Sequence, residues 1–180
     1  MKKILLLTGS PRRNGNSDLL ADSFSEGAIA QGHQVIRIRA TDLRIYGCNA
    51  CNQCFSNGDA CIFPDDFNEF ARQVEESDML VFSTPLYWFT FPAKVKAAID
   101  KLHSFTTVKR PMNIKECALM VCGTAKDEKI YDGIVRCYEE IANYNGWIDR
   151  GKLLTVGIRE KGAILNTHWL EMAQTLGASI

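Results

Sequence analysis

Four cysteines, Cys48, Cys51, Cys54 and Cys61, fall within fourteen residues in the spacing Cys-x-x-Cys-x-x-Cys-x6-Cys. Thiols this close in sequence can converge on one small volume without help from the rest of a fold. Such clusters usually bind a metal or an iron–sulfur centre. The residues alone leave two alternatives open. One is a structural zinc, although zinc usually takes two separated knuckles and here two Cys-x-x-Cys units share Cys51. The other is a metal-free redox pair, because this spacing lowers a thiol pKa. A second polar run, Gly9-Ser10-Pro11-Arg12-Arg13-Asn14-Gly15-Asn16-Ser17, follows directly on apolar Ile4–Leu7. It offers hydroxyls (Ser10, Ser17), amides (Asn14, Asn16), a guanidinium (Arg12) and the unpaired N–H groups of a helix start. These suit a terminal phosphate monoester, which carries about two negative charges and accepts many hydrogen bonds. The run lacks both the Gly-Lys-Ser/Thr ending of a nucleoside-triphosphate loop and the three-glycine spacing of a dinucleotide turn. A polar capping loop that binds nothing is the plain alternative. A phosphate-bearing cofactor beside thiolates points to electron transfer.

A third segment, Thr84-Pro85-Leu86-Tyr87-Trp88-Phe89-Thr90-Phe91-Pro92, places four aromatics on an exposed connection. Aromatic faces there can sandwich a flat ring system while free backbone groups read its polar edge. The same residues also suit a subunit contact, where aromatics are enriched. Cys117, Cys122 and Cys137 read as small apolar residues of a strand and a helix face. His33, His103 and His168 are isolated from one another and from the cysteines, and Met79, Met120 and Met172 read as core.

These segments are connections between elements of strand and helix period. Ile4–Leu7 is a first strand. Leu20, Phe24, Ala28 and Gln31 recur at helical spacing, with Asn16 or Ser17 as cap and Gly32 as stop. Gln34–Ile38 is a short edge-side strand, and a non-periodic stretch from Ala40 to Pro64 carries the four cysteines. Asp65 or Asp66 can cap a helix through Phe67, Phe70, Ala71 and Val74. Met79–Ser83 is a continuous apolar strand, as expected of one buried on both faces. Pro92 opens a helix with Val95, Ala98, Ile99 and Leu102 on one stripe. Cys117–Cys122 is the fourth strand, and Ile130, Ile134, Cys137, Tyr138 and Ile141 form the next helical face. Leu153–Ile158 is the fifth strand, and Leu165, Trp169, Met172, Ala173 and Leu176 face inward from a last helix. Strict alternation predicts a parallel five-stranded sheet with helices on both faces. Ligands of such sheets bind beyond the carboxyl ends of the strands, so the polar loop, the cysteine segment and the aromatic loop are expected on one edge.

Length and composition bound the function. The 180 residues suit a single domain with a real core, expected to run over 1–180 with a cysteine-rich insertion at about 45–64. Formal net charge is zero and no basic patch is visible, so nucleic acid is not an expected partner. No apolar stretch approaches the ~18 residues that span a membrane. The apolar start is too short for a signal peptide and runs into Gly9-Ser10-Pro11 without a cleavage site. Seven cysteines are an odd number, which favours free or metal-bound thiols in a reducing compartment, the cytoplasm.

Gly9-Ser10-Pro11-Arg12 with Asn16-Ser17, then Ser83-Thr84-Pro85-Leu86-Tyr87-Trp88 and Lys96-x-x-x-Asp100-Lys101, together resemble the NAD(P)H-dependent FMN reductases of the flavodoxin-like superfamily. The motifs cover the chain to about Leu102; beyond it only the alternating pattern agrees. The resemblance implies a flavodoxin-like, doubly wound fold and FMN as cofactor. It assigns the FMN phosphate to Ser10, Arg12, Asn16 and Ser17, and one side of the isoalloxazine ring to Pro85, Leu86, Tyr87 and Trp88. Gly123-Thr124-Ala125 would border the other side. Two departures stand out. Asp18 puts a carboxylate in the first helical turn, where it suits the helix dipole but repels a phosphate. The third loop has one glycine where relatives often have more. The cysteine spacing further resembles the iron–sulfur flavoproteins of the same family. There the four thiolates, here Cys48, Cys51, Cys54 and Cys61, bind one 4Fe–4S cluster close to the flavin, in dimers with electrons crossing between subunits.

The expectation is an FMN oxidoreductase with NAD(P)H as co-substrate, passing electrons to a small-molecule or redox-protein acceptor. The cofactor does the chemistry, so no residue is singled out as catalytic. A homodimer is expected, because Tyr87, Trp88, Phe89 and Phe91 would leave an apolar stretch wet in a monomer. A flavodoxin-like electron carrier is the alternative, and a thiol- or metal-sensing protein without flavin is a third reading.

Overall fold

The structure, a computed structural model, describes residues 1–180. Five strands form one parallel sheet: β1 (Lys3–Thr8), β2 (Gln34–Arg39), β3 (Met79–Pro85), β4 (Glu116–Cys122) and β5 (Ile148–Thr155). Their order is β2-β1-β3-β4-β5. The chain runs from β1 outward to β2, then crosses back to place β3 on the other side of β1, so the switch in direction lies between β1 and β3. The central strands are apolar throughout: Ile4–Leu7, Met79–Phe82 and Cys117–Val121 are fully buried. That is the pattern required of strands covered on both faces.

The helices are α1 (Asn16–Ala30), α2 (Phe67–Glu76), α3 (Ala93–Lys101), α4 (His103–Thr107), α5 (Asp132–Asn145) and α6 (Trp169–Ala178). One face of the sheet is covered by α1 and α6, whose Leu20, Phe24, Ala28 and Ala173 meet Ile4, Leu6, Val81 and Met120. The opposite face carries Phe67, Phe70, Val95, Ala98, Phe105, Ile134 and Tyr138 against Leu5, Leu7, Phe82 and Leu119. Alternate residues of each strand thus feed the two cores, as a pleated strand demands. No helix is long and apolar enough to cross a membrane.

Several local expectations are corrected. The fifth strand begins at Ile148 and ends at Thr155, three residues before Ile158. It is the sheet edge, and its first half, Ile148-Asp149-Arg150-Gly151-Lys152, is polar, as exposed edges tend to be. An apolar-run criterion therefore misses it. The last helix starts at Trp169, so Leu165 lies on a preceding 3-10 turn, exposed, and Met172 faces solvent rather than core. Ile130 also lies on a 3-10 turn ahead of α5 and is exposed. Phe91 is buried against Phe82, with ring centroids 5.3 Å apart.

Candidate functional site

The polar loop after β1 is bent back on itself by its own side chains. Ser10 Oγ accepts from the Arg12 N–H at 3.1 Å, and Arg12 O accepts from the Gly15 N–H at 3.0 Å. Gly15 caps α1 without a side-chain hydrogen bond, so the N–H groups of the first turn are left for an anion. Asp18, expected to repel that anion, is instead buried and neutralised. Arg39 Nη1 lies 2.6 Å from its Oδ2 and Arg37 Nη2 lies 2.7 Å from its Oδ1, both reaching over from β2. The same Oδ2 accepts from the Asn14 N–H at 2.9 Å. The Asp18 charge is thus spent on holding the loop's shape, with Asn14 at a left-handed φ of 54°.

Asn16 is also bonded within the protein. Its Oδ1 accepts from the Gly162 N–H at 3.0 Å and its Nδ2 donates to Glu160 O at 2.9 Å. Both polar atoms of the side chain hold the loop between β5 and α6, and Asn16 also lines the cleft described below.

The aromatic loop after β3 is a tight hairpin. Tyr87 and Thr90 exchange two backbone hydrogen bonds, at 3.1 and 3.0 Å. The central residues, Trp88 and Phe89, both have positive φ, 45° and 68°. That pattern belongs to two-residue turns that ordinarily take Asn-Gly, so two bulky side chains sit where a Cβ is strained. Gly133 of α5 admits the tip, since a Cβ there would stand 2.6 Å from Phe89 O. Trp88 is 91% exposed.

The loop after β4 is pinned from beneath. Tyr131 donates its hydroxyl to Thr155 O at 3.1 Å. The hydroxyl would lie only 2.6 Å from a Cβ at Gly123, so only glycine fits there. Burial pushes the Tyr131 hydroxyl up to about 12.

These loops enclose one cleft of about 250 Å³ beyond the carboxyl ends of β1, β3 and β4, beside the switch point. Ser10, Arg12, Asn16, Ser17, Pro85, Leu86, Tyr87, Gly123 and Thr124 all line it; Trp88 does not. The cleft also has walls that the sequence reading missed: Cys122, Ile158, Arg159 and Lys161. The two cations follow β5 directly and were hidden by placing that strand's end three residues too late. Cys122 ends β4, where position alone marks it as edge-facing. Burial pushes its thiol up to about 11, partly offset by a hydrogen bond with Ser17. A polar end with Arg12, Arg159, Lys161 and an uncapped helix start, continuous with Pro85, Leu86 and Tyr87, fits a phosphate joined to a flat ring.

The four cysteines do share one cavity, of about 100 Å³. Its backbone winds through left-handed φ at Ala50, Asn52 and Phe55, between and beside the thiols. The sulfurs stand apart: no group of three His, Cys, Asp or Glu side chains is gathered closely enough to hold a metal ion. The donor set itself, four cysteines lining one cavity, suits a soft metal centre. The cavity shares no lining residue with the cleft. Its other wall is Lys101, His103, Ser104 and Thr107, at the far end of α3 and in α4. Because α3 runs back from the carboxyl edge, the thiols are set back from that edge rather than beside the polar loop. Phe55 follows the same course, packing on Phe105 with ring centroids 5.5 Å apart.

His103 is therefore not isolated from the cysteines, whereas His33 accepts from the Lys2 N–H at 3.1 Å and His168 stacks on Trp169 at 4.3 Å. Asp65 ties the ends of the cysteine segment. Its Oδ2 accepts from the Tyr46 N–H at 3.0 Å and its Oδ1 from the Phe67 N–H at 3.1 Å. Oδ2 is also ion-paired to the buried Lys101 ammonium. Cys117 is buried, with its thiol pushed up to about 11 by burial, and Cys137 lines a different groove between α3 and α5.

A family model described as NADPH-dependent FMN reductase matches residues 2–147. An iron-sulfur flavoprotein of Archaeoglobus fulgidus is 32% identical over 102 residues, 57% of this chain and 46% of that protein. The chain spans about half the length of the curated iron-sulfur flavoproteins it matches. YwqN of Bacillus subtilis, named provisionally as an NAD(P)H-dependent FMN-containing oxidoreductase, is 25% identical over 177 residues, 92% of this chain and 91% of that one. Among solved structures, the NAD(P)H:quinone oxidoreductase from Methanothermobacter marburgensis superposes with a TM-score of 0.78 at 18% identity, covering 98% of this chain and 94% of that one. At that identity the likeness shows the fold, which is flavodoxin-like.

Proposed function

The chain belongs to the NADPH-dependent FMN reductase family, and from that premise we propose that it is an FMN oxidoreductase drawing on NADPH or NADH. In this reading it delivers electrons to a small-molecule or protein acceptor, by way of a 4Fe–4S centre on Cys48, Cys51, Cys54 and Cys61. The observation that carries the flavin reading is the single cleft in which loops from three strands bring Arg12, Arg159 and Lys161 together with Pro85, Leu86 and Tyr87.

Each part of the cleft has a task. The first-turn N–H groups of α1, with Ser10, Ser17 and Arg12, bind the phosphate. Arg159 and Lys161 add positive charge to the same end, held there by Asn16. Pro85, Leu86 and Tyr87 line one side of the ring, and Gly123 and Thr124 the other, with Tyr131 fixing that loop's height. Trp88, which lies outside the cleft, is read as part of an exposed apolar tip. Bound FMN would supply hydride acceptance and one- or two-electron release, so the protein's part is position and electrostatics.

The thiol reading is supported by four cysteines on one cavity and by the names of the iron-sulfur flavoprotein relatives. Exposed Tyr87, Trp88 and Phe89 support a homodimer. Seven free cysteines suit a reducing compartment such as the cytoplasm. We take residues 1–180 as one flavin-binding domain.

Anaerobically purified protein titrated with FMN should develop bound-flavin absorbance and oxidise NADPH or NADH with a quinone or dye acceptor. No flavin bands after adding FMN would sink the assignment; bound flavin without turnover would make the chain an electron carrier. The centre should bring about four iron atoms per chain. Cys51→Ala should abolish the iron and retain FMN, whereas Cys137→Ala should change neither. Zinc in place of iron, or no iron, would remove the centre and leave the flavin reading standing.

A further inference from the structure

The cysteine cavity has a wall that the thiols do not supply. Ser104 of α4 lines it beside Lys101 and His103. Ser104 is 3% exposed, and its Oγ is closed off from solvent without a hydrogen-bond partner in the protein. A helical hydroxyl commonly bonds the carbonyl four residues back, as Thr107 Oγ1 does to His103 O at 3.0 Å. Ser104 makes no such bond. A buried hydroxyl left unpaired lowers stability and calls for a reason. Serine offers one O–H donor, and the cavity it lines is also lined by the four cysteines.

Lys101 contributes to the same wall. Its ammonium is buried and paired with Asp65, the residue that ties Tyr46 and Phe67 at either end of the cysteine segment. Part of its positive charge is therefore offset by that carboxylate, which leaves the hydroxyl as the more direct influence on the sulfurs.

We propose that the Ser104 hydroxyl donates a hydrogen bond to a sulfur of the centre held by Cys48, Cys51, Cys54 and Cys61, with Lys101 behind it, and thereby raises that centre's reduction potential. The proposal rests on the thiolate-centre reading above. Its physical basis is that reduction adds negative charge to the sulfurs. A hydroxyl donor on the cavity wall, in surroundings of low dielectric, would stabilise the reduced form more than the oxidised one.

The test uses the whole chain, reconstituted anaerobically with ferrous iron and sulfide, and a redox titration of the centre's visible absorbance. Ser104→Ala should bind the same iron and FMN as wild type but with a midpoint shifted to more negative potential, and Ser104→Thr, which keeps the donor, should return it toward wild type. Before reconstitution, Ser104→Ala should melt at the same temperature as wild type or higher, because the hydroxyl it removes has no internal partner. An unmoved midpoint with iron bound would overturn the donor role and leave the centre intact. A lower melting temperature before reconstitution would also overturn it, by revealing an internal partner. Failure of the wild type to take up iron would overturn both this role and the centre itself.

Discussion

Asn16 Oδ1 accepts the Gly162 N–H at 3.0 Å, across 146 residues of sequence, and so ties the start of α1 to the loop that follows β5. With Nδ2 bonded to Glu160 O, the amide closes a two-point clasp around the cations of the cleft, Arg159 and Lys161. Gly162, at φ 80°, provides the left-handed turn that presents its N–H to Asn16.

Asn16→Ala should therefore weaken FMN binding without touching the phosphate. Three hydrogen bonds are lost, the third being the Ile164 N–H to Oδ1 at 3.4 Å; at about 1 kcal/mol for each of the two shorter ones, that corresponds to roughly tenfold or more in affinity if the clasp acts mainly on the bound geometry. The companion measurement is hydrogen exchange across 158–166, which should speed up in the variant. Unchanged exchange with weakened binding would return Asn16 to the role of a direct phosphate ligand.

Asp18→Asn should destabilise the fold by about 2–3 kcal/mol. Breaking a fully buried ion pair costs ~3–5 kcal/mol, and here Arg37 and Arg39 keep some contact with water. Equilibrium urea unfolding measures the loss. A change under about 0.5 kcal/mol would mean that the two guanidiniums are satisfied by solvent, and that Asp18 is free to repel a phosphate after all.

The hairpin tip stores strain that can be removed. Trp88→Asn with Phe89→Gly supplies the residue pair that positive φ at both positions favours. The double variant should gain about 1–2 kcal/mol of stability. Neither residue lines the cleft, so FMN affinity should hold. Weaker flavin binding in this variant would place Trp88 on the ring, as the family resemblance implies.

Alkaline pH should unfold the protein through its buried thiols. Burial pushes Cys117 and Cys122 up to about 11 from 9.0. The unfolded chain gives up these protons first, so between about 9 and 11 it binds fewer protons than the native state. Stability is then full below about 9 and falls as pH rises through that window. Urea midpoints taken at the two ends of the window should drop more for wild type than for Cys117→Ala combined with Cys122→Ala. Parallel drops would assign the pH dependence to other groups.

The architecture was legible in the sequence because it follows from local composition. Ile4–Leu7, Met79–Phe82 and Cys117–Val121 are apolar runs because both faces of a central parallel strand are covered, and the helices between them repeat at a period that neighbours alone impose. The carboxyl-edge loops follow from that alternation, and with them nine of the eleven expected cleft residues, all but Trp88 and Ala125. The cysteine spacing fixed the donor set in the same way, since four thiols within fourteen residues need no distant partner to share a cavity.

Only the tertiary structure decided what each polar side chain spends itself on. Asp18 meets Arg37 and Arg39, and Asn16 meets Gly162, because chain segments tens of residues apart are brought within hydrogen-bond reach, and the cysteines come to share a cavity with Lys101 and Ser104. It also set the thiols back from the cleft, since that depends on where the cysteine segment lies on α3 and α4 and not on which strand it follows. The first half of edge strand β5 escaped for the converse reason: it is largely polar and faces water, so its place is fixed by backbone pairing with β4 and not by an apolar pattern.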